Sequence, residues 1–244
     1  MVLSQGVFPD APNTTVNIVV MAPFDGEYLF RKELVEPSVD YAMASILRDL
    51  PTALRNIRFN ITYRDSHCSR KAAIEAVNFY YGRCGDDVTT SMTSPILFLG
   101  PVCNDAASMV ATFAENWNVP IISPGAHAAW LIPGGEYPLL NRITPSYTDL
   151  SYFIHGIFLT LMHGISYPVH LVYSDDENGR MTERECHNVM QAIYTVFNND
   201  DIELQVTEPY VIRDVTFQPE TFITELGYPR VVLMCAPSHL VRKV

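Results

Sequence analysis

The sequence has no excess of positive charge, no closely spaced cysteine pair and no long apolar run, and each absence removes a class of function. Against 27 Asp and Glu stand 16 Lys and Arg, a net charge of −11 over 244 residues. Nucleic-acid binding rests on clustered cations that displace counterions from phosphates, so nucleic acid is excluded as a partner. An acidic surface also repels anionic membrane. No stretch reaches the roughly 18 uninterrupted apolar residues of a membrane span. The nearest, Phe153 to Ile165, is broken by His155, Thr160 and His163. Met1 to Gly6 lack the basic and apolar regions of a secretory leader. Leu240 to Val244 stop where a helix is starting, so a fragment of a longer chain is expected.

Catalytic signatures are missing too. There is no G-x-S-x-G, H-E-x-x-H, G-x-x-x-x-G-K-[ST] or G-x-G-x-x-G. The seven histidines are scattered, and Asp175-Asp176-Glu177 lacks the EF-hand spacing, which reads as solvated loop acids. No enzyme and no resident metal are expected. An α/β enzyme whose site carries no sequence mark is the competing reading.

What is present is a globular composition, 48% hydrophobic and 18% charged. A chain of this length hides roughly 70–75% of its unfolded surface and needs no staple merely to fold. Of its 5 cysteines, Cys68, Cys84, Cys103, Cys186 and Cys235, none forms the close pairs of zinc or thioredoxin-type motifs. Buried thiols and disulfides fit the count equally. Two N-x-[ST] sequons, at Asn13 and Asn60, are candidate glycosylation sites and tilt the reading toward an exported chain.

Short apolar runs alternate with helical patterns. Strands are expected at Val16 to Ala22, Ile57 to Tyr63, Pro95 to Gly100, Val119 to Ser123, Leu139 to Thr144, Val169 to Tyr173, Leu204 to Ile212 and Val231 to Cys235. Helices are expected near Phe30 to Leu50, Ser69 to Tyr81, Asn104 to Asn116, Met181 to Phe197 and Phe217 to Leu226. Between Thr144 and Val169, residues Leu150, Phe153, Ile154, Ile157, Phe158 and Leu161 recur at helical period as one apolar stripe. Ser146 and Asp149 have the spacing of a capping box before it. Strands alternating with helices imply βαβ units and parallel sheets covered on both faces. So many strands divide better into two sheets, with the switch near Thr144-Pro145. The expected organisation is an extension over 1–15, a first lobe over 16–145 and an incomplete second lobe over 146–244.

The loop Gly100-Pro101-Val102-Cys103-Asn104 lies where open α/β sheets bind ligands, at the carboxyl edge, and opens a helix whose first N–H groups attract anions. A helix start capped by Asn104 or Asp105 is the plainer alternative. Cys68 and Cys103 fall at one edge of the first sheet, and Cys186 and Cys235 in the second lobe. Pairings 68–103 and 186–235 therefore keep each bridge within one lobe, although the separations a bridge needs are not legible in a sequence. Cys84 is left over.

Several blocks resemble the extracellular ligand-binding region of natriuretic peptide receptors and receptor guanylate cyclases, which share the fold of type I periplasmic binding proteins. They are Asp65-Ser66-His67-Cys68, Leu99 to Cys103, Trp117 to Pro120 with Ser123-Pro124-Gly125-Ala126, Arg142 with Pro145-Ser146-Tyr147, Leu171 to Asp176, and Arg230 to Ala236. The resemblance implies two α/β lobes, a ligand cleft, a homodimer that rearranges on binding, and bridges Cys68–Cys103 and Cys186–Cys235. It implies a structural chloride on Ser66 and the backbone N–H groups of Val102 and Cys103, with no other cofactor. It implies peptide contacts at Tyr147 and Tyr173, and an extracellular location on a membrane-anchored parent whose cyclase, if any, lies elsewhere. Four positions depart from the family pattern: Asp105 replaces a hormone-contacting tyrosine, Thr112 an arginine, and His187 and Asn188 stand where the family has aromatics. An amino acid or small metabolite held by Ser123 and Tyr173 is the alternative ligand, and a non-signalling decoy the alternative role.

Overall fold

A computed structural model describes residues 14–26, 28–49, 57–82, 94–132, 134–161, 168–174, 184–198, 205–213, 218–227 and 229–242. The chain forms two compact units. One comprises residues up to Gly125 together with Pro133–Ile143, and the other comprises Ala126–Ile132 and Thr144–Val244. The loop 126–132, expected in the first lobe, thus groups with the second unit.

The first unit is a parallel sheet ordered β2-β1-β3-β4-β5. Its strands are β1 (Thr14–Ala22), β2 (Ile57–Asp65), β3 (Ile96–Leu99), β4 (Ile121–Ser123) and β5 (Leu140–Arg142), so β1 begins two residues before its expected start. Parallel strands covered on both faces read as continuous apolar runs, and Val19, Met21, Phe98 and Ile121 are accordingly among the most buried side chains. The covering helices α2 (Ala72–Gly82) and α3 (Asn104–Trp117) turn alanines inward, with Ala72, Ala76, Ala106, Ala107 and Ala114 fully buried. Small residues let the helices approach each other and the sheet closely, and Tyr80 stacks on Trp117 with centroids 4.2 Å apart. Helix α1 (Lys32–Asp49) buries no residue. It is pinned at its start, where Lys32 lies over the rings of Phe24 and Tyr63.

The second unit has a parallel sheet ordered β7-β6-β8, with β6 (Val169–Ser174), β7 (Tyr210–Ile212) and β8 (Val231–Cys235). Alternation along β6 divides the core. Val169, Leu171 and Tyr173 face α5 (Glu185–Phe197) through Met190, Ile193 and Phe197. Val172 faces the opposite way, packing with Ile212, Phe222 of α6 (Pro219–Glu225) and Leu240 of α7 (Ser238–Val241).

Two sequence expectations need correction, and a third lies partly outside the described residues. The strand expected over 204–212 is shorter, because Val206 makes only an isolated bridge to Val169 before β7 begins at Tyr210. Pro209 has no N–H for a ladder. Four steps from Val206 to Tyr210 face three from Val169 to Val172, so one residue bulges out of the pairing. The apolar stripe of α4 (Tyr147–Leu161) is not one buried face. Ile154 and Phe158 pack on the α5 core, while Leu150, Phe153 and Ile157 are exposed. The amino end of the 181–197 helix lies outside the described residues up to 183, and α5 begins at Glu185.

The capping box at the start of α4 is formed. Asp149 N donates to Ser146 Oγ at 3.2 Å, and Ser146 N donates back to Asp149 Oδ2 at 2.7 Å. Ser146→Ala removes the acceptor and is expected to cost about 1 kcal/mol in denaturant unfolding. Ser146→Thr, which keeps a hydroxyl to accept from Asp149 N and donate to its carboxylate, should recover most of it. Equal stability of wild type and Ser146→Ala would show the box to be idle.

Candidate functional site

At the carboxyl edge of the first sheet, backbone demands come first. Gly100 has φ +87° at the end of β3, and a Cβ there would run into the Met21 carbonyl. The Gly100–Pro101 peptide bond is cis. The following loop is buttressed from β4, where Ser123 Oγ donates to Pro101 O at 2.6 Å and accepts from Gly125 N at 3.1 Å. Ser123 is fully buried. Its hydroxyl is committed to loop support, and it offers no surface to a ligand.

The loop delivers Cys103, which bridges to Cys68 with Cα atoms 5.3 Å apart. Cys68 follows Ser66, itself fully buried, whose Oγ accepts from Cys68 N at a long 3.4 Å. The bridge ties the turn that carries Ser66 and Cys68 to the loop that carries Val102 and Cys103. Helix α3 is capped at Cys103, with no side-chain cap bond. The expected cap by Asn104 or Asp105 is not formed; both lie inside the helix. The start of this 14-residue helix carries no side-chain cap.

In the second unit, Tyr147 opens α4. Its N–H donates to His127 O at 2.8 Å, and its ring lies 5.6 Å from the imidazole. His127 Nδ1 in turn lies 2.8 Å from Pro145 O, which makes Nδ1 the protonated nitrogen. Tyr173, at the end of β6, is 6% exposed, and its hydroxyl lies 3.0 Å from His187 Nδ1. This pair depends on the second bridge. Cys235 is the register partner of Tyr173, and Cys186 precedes His187, so the Cys186–Cys235 bond, Cα atoms 5.3 Å apart, holds the first turn of α5 over the ends of β6 and β8.

A cavity of about 290 Å³ opens there, lined by Tyr173, His187, Gln191, Tyr194, Glu208 and Pro209. Residues 187, 191 and 194 share a helix face adjacent to the one that buries Met190, Ile193 and Phe197. Sequence reasoning missed Gln191, Tyr194 and Glu208. A polar and aromatic i, i+4, i+7 set on an otherwise core-facing helix was the signal that could have found the first two. A second cavity, about 270 Å³, lies by β7 and α6. There the Tyr210 hydroxyl donates to Glu225, and that hydrogen bond, with burial, raises the tyrosine pKa above 10.0.

Of the sequons, Asn60 is exposed on the edge strand β2, its Nδ2 donating to Asn17 Oδ1 at 2.9 Å. Asn13 and Cys84 lie outside the described residues. Among the described residues no helix is long and apolar enough to cross a membrane.

Two units of parallel sheet flanked by helices, each carrying its own disulfide, define a ligand-binding region of the periplasmic-binding-protein-like kind. The family model described as the receptor family ligand binding region matches residues 34–244, and the chain belongs to that family. It is 30% identical over 241 residues to human (Homo sapiens) atrial natriuretic peptide receptor 3, covering 96% of this chain and 41% of the relative. The bovine (Bos taurus) receptor 3 is 31% identical over the same length. Bovine atrial natriuretic peptide receptor 2 is 26% identical over 251 residues, covering 99% of this chain and 21% of the relative. The chain thus spans about two fifths of the length of its receptor 3 relatives.

Proposed function

We propose that the chain is the peptide-binding portion of an extracellular receptor region, in a membrane-anchored parent that signals by rearrangement of a homodimer. The observation that carries this reading is the match to a receptor ligand-binding family along residues 34–244, with relatives named as atrial natriuretic peptide receptors. Two bridges and an exposed sequon support an oxidising, extracytoplasmic setting. Any cyclase activity belongs to another part of the parent. Dimerisation would use the aromatic surface of half-buried Tyr80, Phe113 and Trp117 and exposed Tyr81 on α2 and α3. A chloride would sit on Ser66 Oγ and the N–H groups of Val102 and Cys103, neutralising the partial positive charge of the helix start.

Tyr147 is the residue expected to touch the peptide. Calorimetric titration of the oxidised full chain with atrial natriuretic peptide should give saturable binding. Tyr147→Ala should weaken it about 30-fold, the scale of an interface hot spot. Wild-type affinity in that variant removes Tyr147 from the site, and absence of binding by any natriuretic-type peptide overturns the peptide reading.

A further inference from the structure

The backbone of Tyr147 and its side chain are held by different means. Tyr147 N donates to His127 O at 2.8 Å, and Tyr147 O accepts from Ser151 Oγ at 2.6 Å. The capping box of Ser146 and Asp149 fixes the same turn. None of these bonds chooses the torsion of the tyrosine ring. An aromatic residue on a helix has two χ1 wells open to it, and Tyr147 is only half-buried.

The group beside that ring is the His127 imidazole, with centroids 5.6 Å apart and planes tilted by 43°. The imidazole is itself anchored, since Nδ1 lies 2.8 Å from Pro145 O and 3.5 Å from Thr144 Oγ1. A carbonyl only accepts, so the short bond sets both the proton and the ring plane. Pro145 stands two residues before Tyr147, so the bond ties the imidazole to the turn that carries the tyrosine. The main chain around His127 is equally constrained. Ala126 and Ala128 are both 0% exposed, and Ala126 has φ +56°, a left-handed conformation that a Cβ disfavours. Such a conformation persists only where its surroundings enforce it, and it is found where a site must be held in one shape. Two buried alanines thus clamp a half-buried histidine against Tyr147. In the sequence His127 is one of seven scattered histidines, and only the fold puts it there.

We propose that His127 is a positioning residue for the peptide site, its imidazole, bonded to Pro145 O, holding the Tyr147 ring in one rotamer before the ligand arrives. The inference rests on the peptide reading above and adds to it the residue that presets the contact. Preorganisation of this kind strengthens binding by removing an ordering cost rather than by adding a contact.

The test compares His127→Leu with His127→Asn in the oxidised full chain. Leucine fills similar space and keeps the main-chain oxygen that Tyr147 N needs, but it has no donor for Pro145 O. Asparagine restores an N–H donor near the place of Nδ1. Without ligand, three-bond couplings from the backbone to the ring Cγ of Tyr147 report χ1. They should show one rotamer in wild type, averaging in His127→Leu and one rotamer again in His127→Asn. Calorimetry with atrial natriuretic peptide should show binding about five-fold weaker in His127→Leu, the scale of one lost hydrogen bond. His127→Asn should bind as wild type does. In a Tyr147→Ala background His127→Leu should add nothing, because the imidazole acts only through that ring.

A single Tyr147 rotamer in His127→Leu, averaging that His127→Asn fails to correct, or a five-fold loss that persists in the Tyr147→Ala background overturns the assignment. So does unaltered peptide affinity in His127→Leu where Tyr147→Ala weakens binding. Averaging in His127→Leu with recovery in His127→Asn, in a chain that binds no natriuretic-type peptide, supports the positioning and refutes the peptide reading alone.

Discussion

Replacing Cys186 and Cys235 together by serine is expected to cost the second unit about 4 kcal/mol, the chain-entropy value for the sequence separation of 49 that the bridge closes. Net stabilities of whole domains lie only around 5–15 kcal/mol, so a loss of this size consumes much of what the unit has. Two features concentrate the damage locally. Cys186 is part of the buried cluster of Val169, Leu171, Tyr173, Met190 and Phe197, and Cys235 packs against it, so each serine also brings a hydroxyl to an apolar place. The bridge also ties the start of α5 to the strand ends, so its loss should loosen the Tyr173–His187 contact before the rest of the core. Peptide-resolved hydrogen exchange is the measurement, because two compact units need not unfold as one transition. Protection should fall most over 185–197 and 231–235 and stay unchanged in β1 and β3. Uniform loss across both units, or none, would contradict a locally acting bridge.

Much of this organisation is legible in the sequence, for identifiable reasons. The strands β1, β3 and β6 lie inside their sheets and therefore read as largely apolar runs. The bridges follow from placing Cys68 and Cys103 in loops beside strand ends, Cys186 early in a helix and Cys235 at a strand end, and both pairings occur as expected. Failures occur where tertiary partners outweigh local pattern. Leu150, Phe153 and Ile157 have helical period yet remain exposed, because only the part of the stripe carrying Ile154 and Phe158 meets α5. The run 204–212 has strand composition, but Pro209 and an extra residue detach its first half from the ladder. Ser123 sits at a strand end, as a ligand contact would, and is instead consumed by Pro101 and Gly125. The cavity was invisible because Glu208 and Tyr194 meet only through the fold.

The other large effect is expected from the smallest side chain at the candidate anion loop. Gly100→Ala asks two things of the backbone. Its φ of +87° lies where a residue with a Cβ is strained, and the added carbon meets the Met21 carbonyl, which is backbone of the neighbouring central strand. A flexible side chain would swing away from such a contact. A strand held on one side by β2 and on the other by β3 does not, and Gly100 N is itself bonded to Ile122 O at 2.8 Å. Relief must come from parting β1 and β3 or from flattening the loop that presents Val102 and Cys103. Gly134→Ala separates the two contributions. Gly134 has φ +77° but no heavy atom within 4 Å of the position a Cβ would take. It should therefore lose only the conformational part, about 1 kcal/mol, whereas Gly100→Ala should exceed about 4 kcal/mol, the range in which a single change is diagnostic of a specific clash. Denaturant midpoints of the two variants, read side by side, decide the matter. If they shift equally, close approach to Met21 contributes nothing, and the loop that carries Cys103 owes its shape to turn preference alone.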